Sequence, residues 1–268
     1  MNISINNMKP SIAVIIPAYN SEKTIIRTLN SVKGQTRSPD EVIIVDDGSV
    51  DKTYEFVKNY IKYNNLEWVL LSQSNGGPSK ARDNGIRSAS TTHIALIDAD
   101  DCWLPSKLEY SLEFMISQKL DVIGANVRAI DPEIKCELIR PMASIFYNPY
   151  CTSTVMFLKK KYEEVNGFDV NQRYSEDYKL WLNFLWKNNR CGKISNSLVI
   201  YANESTAQHD GLSSKLWLMQ INEVGNFRLL KKLNILPAHL SVLAEIVSWI
   251  KFANRLIIKF FNILRYKS

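Results

Sequence analysis

The sequence predicts an α/β protein: an open, mostly parallel β-sheet flanked by helices, with a C-terminal extension that is helical only. Three observations predict it. The first hundred residues alternate short apolar runs with segments of helical period; each apolar run ends in polar or turn-forming residues; and from about residue 213 strand-like runs cease. Such alternation implies parallel strands joined by crossover helices.

Taken in order, "SIAVIIP" reads as a short buried strand. "SEKTIIRTLNSVKGQ" opens with Ser21 as N-cap and repeats Ile25, Ile26, Leu29 and Val32 at helical spacing. "EVIIVDDGS" is a second strand running into a turn, and "DKTYEFVKNYIKY" a second helix. "LEWVLLSQSNGG" is a third strand, "PSKARDNGIRSA" a helix with Pro78 in its first turn, and "HIALIDADD" a fourth strand. Past Asp101 the rhythm loosens. "PSKLEYSLEFMISQK" is a helix and "DVIGANVRAI" a strand, while 131–150, with three prolines, is a loop or hairpin. "CTSTVMFLKKKYEEV" passes from strand to helix, "EDYKLWLNFLWKNN" is a strongly apolar helix and "KISNSLVIYAN" a strand. The expected division is a catalytic unit over 10–212, with halves at 10–101 and 102–212, and a tail over 213–268.

The chain has 268 residues, enough for one large domain plus an appendage, and a net charge of +6. All of the excess is in the tail. Residues 213–268 hold nine Lys/Arg against two Glu, and residues 1–212 hold 24 basic against 25 acidic side chains. The four cysteines are scattered, with no C-x-x-C pair and no histidine at metal spacing, as in a reduced, cytoplasmic chain. No leader and no membrane-crossing helix is expected, because "IAVII" is short and ends in proline and no window reaches 18 uncharged apolar residues.

In open parallel sheets, ligands bind beyond the carboxyl ends of the strands. There the sequence sets Pro17-Ala18-Tyr19-Asn20, Asp46-Asp47-Gly48-Ser49, Asn75-Gly76-Gly77 and Asp98-Ala99-Asp100-Asp101. Asp98 and Asp100, two apart at a strand end, leave on the same side of the chain. One Mn2+ or Mg2+ ion could lie against both, since hard oxygen ligands suit these ions, which keep positions open for phosphate oxygens. Taken singly, each string also reads as ordinary turn or capping chemistry. Lys80 and Arg82 read either as solvated surface charges or as contacts for a nucleotide. In "RYSEDYKLWL", Glu176 and Asp177 follow Ser175 at a helix start, where acids suit the helix dipole and a base could also sit.

Together "VIIPAYN", "VIIVDDGSVDKT", "NGGPSKARDNGI" and "LIDADDCWLPSKL" resemble the nucleotide-sugar-dependent glycosyltransferases of family 2, which have the GT-A fold, a Rossmann-like sheet flanked by helices. The resemblance covers roughly 10–210. It implies that Ala18, Tyr19, Asp47 and Arg82 lie around base and ribose, and that Asp100 with Asp98 holds the metal against the diphosphate. It implies Asp177 as catalytic base, giving inversion, and sets Asp101, Glu176 and His209 toward the acceptor or diphosphate. "CTSTVMF" would line the acceptor side. Processive synthases of the family carry Q-x-x-R-W, absent here, so a single addition is expected. The implied partners are a nucleotide diphospho-sugar, most commonly of uridine, and a glycan or lipid-linked acceptor of bacterial surface-polysaccharide assembly. An NAD-dependent oxidoreductase is disfavoured because no G-x-G-x-x-G follows the first strand. A non-enzymatic nucleotide-binding scaffold is the remaining alternative.

In the tail, Lys251, Arg255, Lys259, Asn262 and Arg265 gather on one helical face and Ile246, Trp249, Ile250, Ile257, Phe260, Phe261 and Leu264 on the other. This pattern favours a helix at the inner membrane surface, with the chain peripheral on the cytoplasmic side. Packing against the catalytic unit, or a short coiled coil with Asn254 setting register, are the other readings. No nucleic-acid partner is expected.

Overall fold

The computed structural model describes residues 9–129, 131–201 and 215–265. Its strands are β1 (Ile12–Ala18), β2 (Glu41–Asp46), β3 (Val69–Ser72), β4 (His93–Leu96), β5 (Cys102–Trp103), β6 (Val122–Asn126), β7 (Cys136–Leu138), β8 (Met156–Leu158), β9 (Cys191–Ser197) and β10 (Val199–Ile200). Its helices are α1 (Ile25–Lys33), α2 (Thr53–Tyr63), α3 (Pro78–Ser88), α4 (Lys107–Ser117), α5 (Ala143–Phe146), α6 (Lys159–Glu164), α7 (Glu176–Trp186), α8 (Leu216–Lys232) and α9 (Ala238–Arg265).

One eight-stranded sheet has the order β3-β2-β1-β4-β8-β6-β9-β7. The first four strands are parallel, as the alternation predicts. β8 lies antiparallel to both β4 and β6, and β7 antiparallel to β9, so the second half is mixed. The parallel half follows from crossover helices, and the antiparallel strand from a chain that returns through the irregular segment after β6 without one. The segment 131–150 contributes β7 and the short α5.

The inner strands of the sheet are buried on both faces, and β1 shows how. Ile12, Val14 and Ile16 join Leu29, Val32, Val57 and Leu108 on one side; Ala13 and Ile15 join Ala81, Ile86, Trp181 and Phe184 on the other. Each of these is at most 2% exposed, consistent with the near-continuous apolar runs of the sequence. The register sets Ala18 level with Asp46 and Asp46 level with Ser72, which brings the exits of β1, β2 and β3 to one edge.

Two local readings are corrected. Ser21 is not the N-cap of α1, which begins at Ile25 after a turn in which the Ser21 carbonyl accepts the Thr24 and Ile25 amides. The Ser21 hydroxyl donates instead to the Tyr19 carbonyl at 3.1 Å, shaping the turn after β1. The tail is not an appendage hanging from the catalytic unit. Phe227, Leu230, Leu236 and Ala244 pack with Ile145, Tyr178 and Leu182 in a third apolar cluster. Leu243, Ile250 and Ile257, three positions of the alternating 3–4 spacing, are exposed, so that seam is not what packs α9 against α8.

Candidate active site

The loops at the sheet edge are bound to one another before any ligand is considered. Asn20, in the left-handed region at φ 48°, accepts the Val50 amide on Oδ1 at 2.9 Å, and its own amide donates to Ser49 Oγ at 3.0 Å. Gly48, at φ 74°, lets the second loop pass under the third: a Cβ there would meet the Asn75 amide nitrogen at 2.9 Å. Asp47 acts first on the protein itself. Its carboxylate accepts Gln73 Nε2 and the amides of Gly76 and Gly77, each at 2.8 Å, and so fixes the turn into α3. Asp46 accepts the Ser49 amide on Oδ2 at 3.3 Å, whereas its buried Oδ1 has no partner among the described residues. Pro17 and Ala18 end β1, and Tyr19, 49% exposed, flanks the opening. Lys80 is exposed, its stem lying against Gly76.

Arg82, one turn into α3, is the centre of the site. It is buried, and its NH2 donates to Asp98 Oδ1 at 2.7 Å while NH1 donates to Glu176 Oε1 at 3.1 Å. Desolvation by itself would lower its pKa, but the charges of Asp98 and Glu176 more than offset that and hold it raised. Two acids 78 positions apart in sequence therefore share one guanidinium. The cation that relieves the crowding of Asp98 within this chain is Arg82.

The loop after β4 is anchored from three sides. Thr28 Oγ1 bonds the carbonyls of Ala99 at 2.9 Å and Asp101 at 2.7 Å, and Arg27 donates to the Asp100 carbonyl at 2.6 Å. Ser153 Oγ accepts the Asp98 amide at 3.0 Å and donates to Asp101 Oδ2 at 2.5 Å. Asp101 is buried and bonded to Ser153, so it is part of the frame that holds this loop. Trp103 Nε1 donates to the Ser153 carbonyl at 2.7 Å, and the buried Lys107 ammonium, its pKa pushed down to about 7 by burial, sits 4.2 Å over the Trp103 ring. Asp100 alone of the three acids points outward. Its surface is open to solvent, and among the described residues no other side chain bonds its carboxylate; desolvation by the protein around the carboxyl group, then the charge of Asp98, raise its pKa.

That donor set suits a hard divalent cation. Asp98 and Asp100 offer oxygens only, and Asp100 is a carboxylate held in proton-favouring surroundings that a cation would reverse. Among the described residues no three His, Cys, Asp or Glu side chains could hold an ion together. An ion here would have two protein carboxylates and take its remaining oxygens from elsewhere.

The acid pair lies at the start of α7. Ser175 precedes it at φ 54°, a strained backbone for a non-glycine, and makes no capping bond to the helix. Burial, then the charge of Asp177, push Glu176 up to about 7. Asp177 is also raised, by burial first, and is held by the Tyr178 amide at 2.7 Å and by Thr152 Oγ1 at 3.4 Å.

The strained turn is held by the tail. Asn226 of α8 is buried; its Nδ2 donates to the Ser175 carbonyl at 2.9 Å and its Oδ1 accepts Gln172 Nε2 at 3.0 Å, while Ser175 Oγ donates to the Met219 carbonyl at 3.1 Å. Asn226→Ala is expected to lower kcat about tenfold while leaving the donor KM within about twofold, because it releases the acid-bearing turn and touches nothing near Asp98. Steady-state kinetics with the donor varied checks this; a rise in KM with unchanged kcat would exclude a positioning role.

Reading the sequence missed Arg27, Thr28 and Asn226, and placed Thr152 and Ser153 only within "CTSTVMF", without roles of their own. The hydroxyl run "TST" ahead of an apolar strand was a signal for the last two; Asn226 left none in a helix of ordinary composition. His209 lies outside the described residues.

Residues 13–171 match the family described as Glycosyl transferase family 2. The UDP-Glc:alpha-D-GlcNAc-diphosphoundecaprenol beta-1,3-glucosyltransferase WfgD of Escherichia coli is 30% identical over 195 residues, covering 68% of this chain and 74% of WfgD. The crystal structure of S. aureus TarS 1-349 in complex with UDP-GlcNAc is similar in fold, with a TM-score of 0.66 at 23% identity over 81% of this chain, which spans 66% of that one. The mannosyltransferase PcManGT from Pyrobaculum calidifontis, in complex with GDP-Man and Mn2+, has a TM-score of 0.68 at 16% identity, covering 96% of this chain and 81% of that one. With more than half its length matched by the family and its sheet edge built as described, this chain belongs to glycosyl transferase family 2, and is a glycosyltransferase of GT-A fold.

Proposed function

We propose that this glycosyltransferase moves a single sugar, with inversion, from a nucleoside diphosphate sugar to a hydroxyl of a glycan or lipid-linked acceptor. The setting is assembly of a surface polysaccharide at the cytoplasmic face of a membrane. The observation that carries the reading is the Arg82 bridge, which ties the strand-exit acid Asp98 to the Glu176–Asp177 pair across 2.7 and 3.1 Å contacts. Donor-side and acceptor-side acids thus form one cluster. A UDP-sugar is the favoured donor, supported by the name of WfgD and by the UDP-GlcNAc complex of TarS. The unpartnered Asp46 Oδ1 suits a ring N–H of such a base.

In this reading the acceptor hydroxyl oxygen attacks the anomeric carbon, and its proton passes to the Asp177 carboxylate. The bond from the anomeric carbon to the diphosphate oxygen breaks, and the nucleoside diphosphate leaves with the electron pair. Burial, and then the charge of Asp98, raise Asp177, which strengthens it as a base. Thr152 and the Tyr178 amide hold its two oxygens in one orientation. Asp98 and Asp100 would hold Mn2+ or Mg2+, which when bound stabilises negative charge on the diphosphate as a Lewis acid. Tyr19, Asp47 and Lys80 border the donor.

Thermal unfolding with UDP-, GDP-, CMP- and dTDP-sugars, with and without Mn2+, tests the donor. A UDP-sugar with Mn2+ at about a hundred times its Kd should add ~2.7 kcal/mol of stability, a rise of several degrees in Tm. No shift with any of them would sink the proposal.

A further inference from the structure

The helical extension buries polar groups beside its inner apolar residues and turns a second apolar face outward. α8 and α9 run antiparallel and hold polar groups between them. Gln220 Nε2 donates to Ser248 Oγ at 2.8 Å, Ser241 Oγ donates to the Phe227 carbonyl at 3.2 Å, and Lys251 pairs with Glu223 at 3.1 Å. Arg255 donates to Gln220 Oε1 at 3.2 Å. Gln220, Ser241 and Ser248 are fully buried. The basic face expected to stand free is thus turned, at Lys251 and Arg255, onto α8.

The opposite face of α9 carries Val242, Leu243, Ile246, Trp249, Ile250 and Ile257, each 38–57% exposed. No charge interrupts it. The charged residues of this span are Glu245, Lys251 and Arg255, and all three bond to α8, Glu245 through Arg228 at 2.8 Å. The face continues onto α8 where Trp217, 56% exposed, meets Trp249 at a ring-centroid distance of 5.9 Å.

Helices in water turn their apolar stripe inward, and a continuous exposed apolar face marks a surface that something covers. Polar contacts between helices with apolar side chains outward is the order favoured in apolar surroundings. Charge identifies the cover. The extension carries nine basic and two acidic residues; both acids are paired, while Lys231, Lys232 and Lys259 are exposed. Two such extensions pressed face to face would repel, whereas anionic lipid would attract them. No described helix is long and apolar enough to cross a membrane, and α9, with 28 residues, is about 42 Å long.

We infer that the outward face of the α8–α9 pair docks on an anionic bilayer, lying in its plane with Trp217 and Trp249 at headgroup depth. The surface stands on packing and charge; its use, presenting the site to a lipid-linked acceptor, rests on the proposed function.

Full-length protein mixed with sucrose-loaded vesicles, either phosphatidylcholine alone or phosphatidylcholine with phosphatidylglycerol, tests the surface. The wild type should sediment with the mixed vesicles, and brominated acyl chains should quench part of its tryptophan fluorescence. The double variant Ile246→Glu/Ile250→Glu changes exposed residues only, and should partition at least ~10-fold less while keeping the same thermal shift with a UDP-sugar. Absence of wild-type binding to both vesicles, or equal binding by the variant, overturns the inference. So does a lipid-free dimer, in sedimentation velocity, that the double variant dissociates, for then a second copy covers the face. Vesicle binding without any sugar-nucleotide shift would count against the proposed reaction and leave the docking surface standing.

Discussion

Replacing Asp177 by asparagine is expected to lower kcat by ~10²–10⁴-fold with donor binding retained. Asparagine keeps the shape of the side chain, its oxygen can still accept the Tyr178 amide, and its NH2 can still meet Thr152 Oγ1, so the α7 start should hold its geometry. What is lost is the only thing a base needs, a site for the proton. Steady-state kinetics alongside a thermal shift with the UDP-sugar separates the two, and wild-type turnover in the variant would remove Asp177 from the mechanism. The pH profile carries a linked expectation. A base works ionised, so activity falls as pH drops through its pKa, and burial raises both acids here, Glu176 to about 7. The acid limb of kcat/KM should accordingly stand above the ordinary carboxylate range, and it belongs to the coupled pair.

Arg82→Met is expected to lower stability markedly. It leaves Asp98 and Glu176 facing each other without their shared cation, at a loss of about 3 kcal/mol, the lower end for breaking a buried pair because Asp98 keeps 32% of its side-chain exposure. In a chain of this size that is a fall of roughly 6–12 °C in Tm. Arg82→Lys should recover only part of it, since a single ammonium cannot reach both acids in the forked geometry of a guanidinium. With Arg82 gone, the charge that lowers Glu176 is also gone, so the acid limb should move further upward in any activity that survives. An unchanged Tm in Arg82→Met would show that the bridge contributes nothing to the folded state.

The two predictions differ in how far the sequence foresaw them. Asp177 was named from its place after Ser175 and from the family resemblance. Arg82 was named as a nucleotide contact, and its place between Asp98 and Glu176 was not foreseen, because nothing in "SKARDNG" points to partners 16 and 94 residues away. Asp101 followed the same course. Beside Asp98 and Asp100 it looks like a third free acid, yet it is buried and bonded by Ser153, which stands just ahead of the neighbouring strand β8.

In the tail the helices themselves were legible from composition and period, but their facing was not. An amphipathic pattern says which residues share a face and is silent on which face turns inward. Here a second apolar face turns outward, because Gln220 and Glu223 offer Ser248 and Lys251 partners that no solvent-facing position requires. Asn226 shows the same limit from another side: a polar residue in mid-helix, buried against the turn that bears the acids.

By itself, then, the sequence determined the parallel half of the sheet, the edge at which its strands open, and the acids gathered along that edge. These follow from local periodicity and from what ends each apolar run, and such information is written within a few residues. The tertiary structure alone decided which acid meets which cation, which carboxylate is framework and which is free, and that the C-terminal helices hold the active-site turn. Those outcomes depend on contacts between segments far apart in the chain, whose energies exist only once burial has removed water from between them.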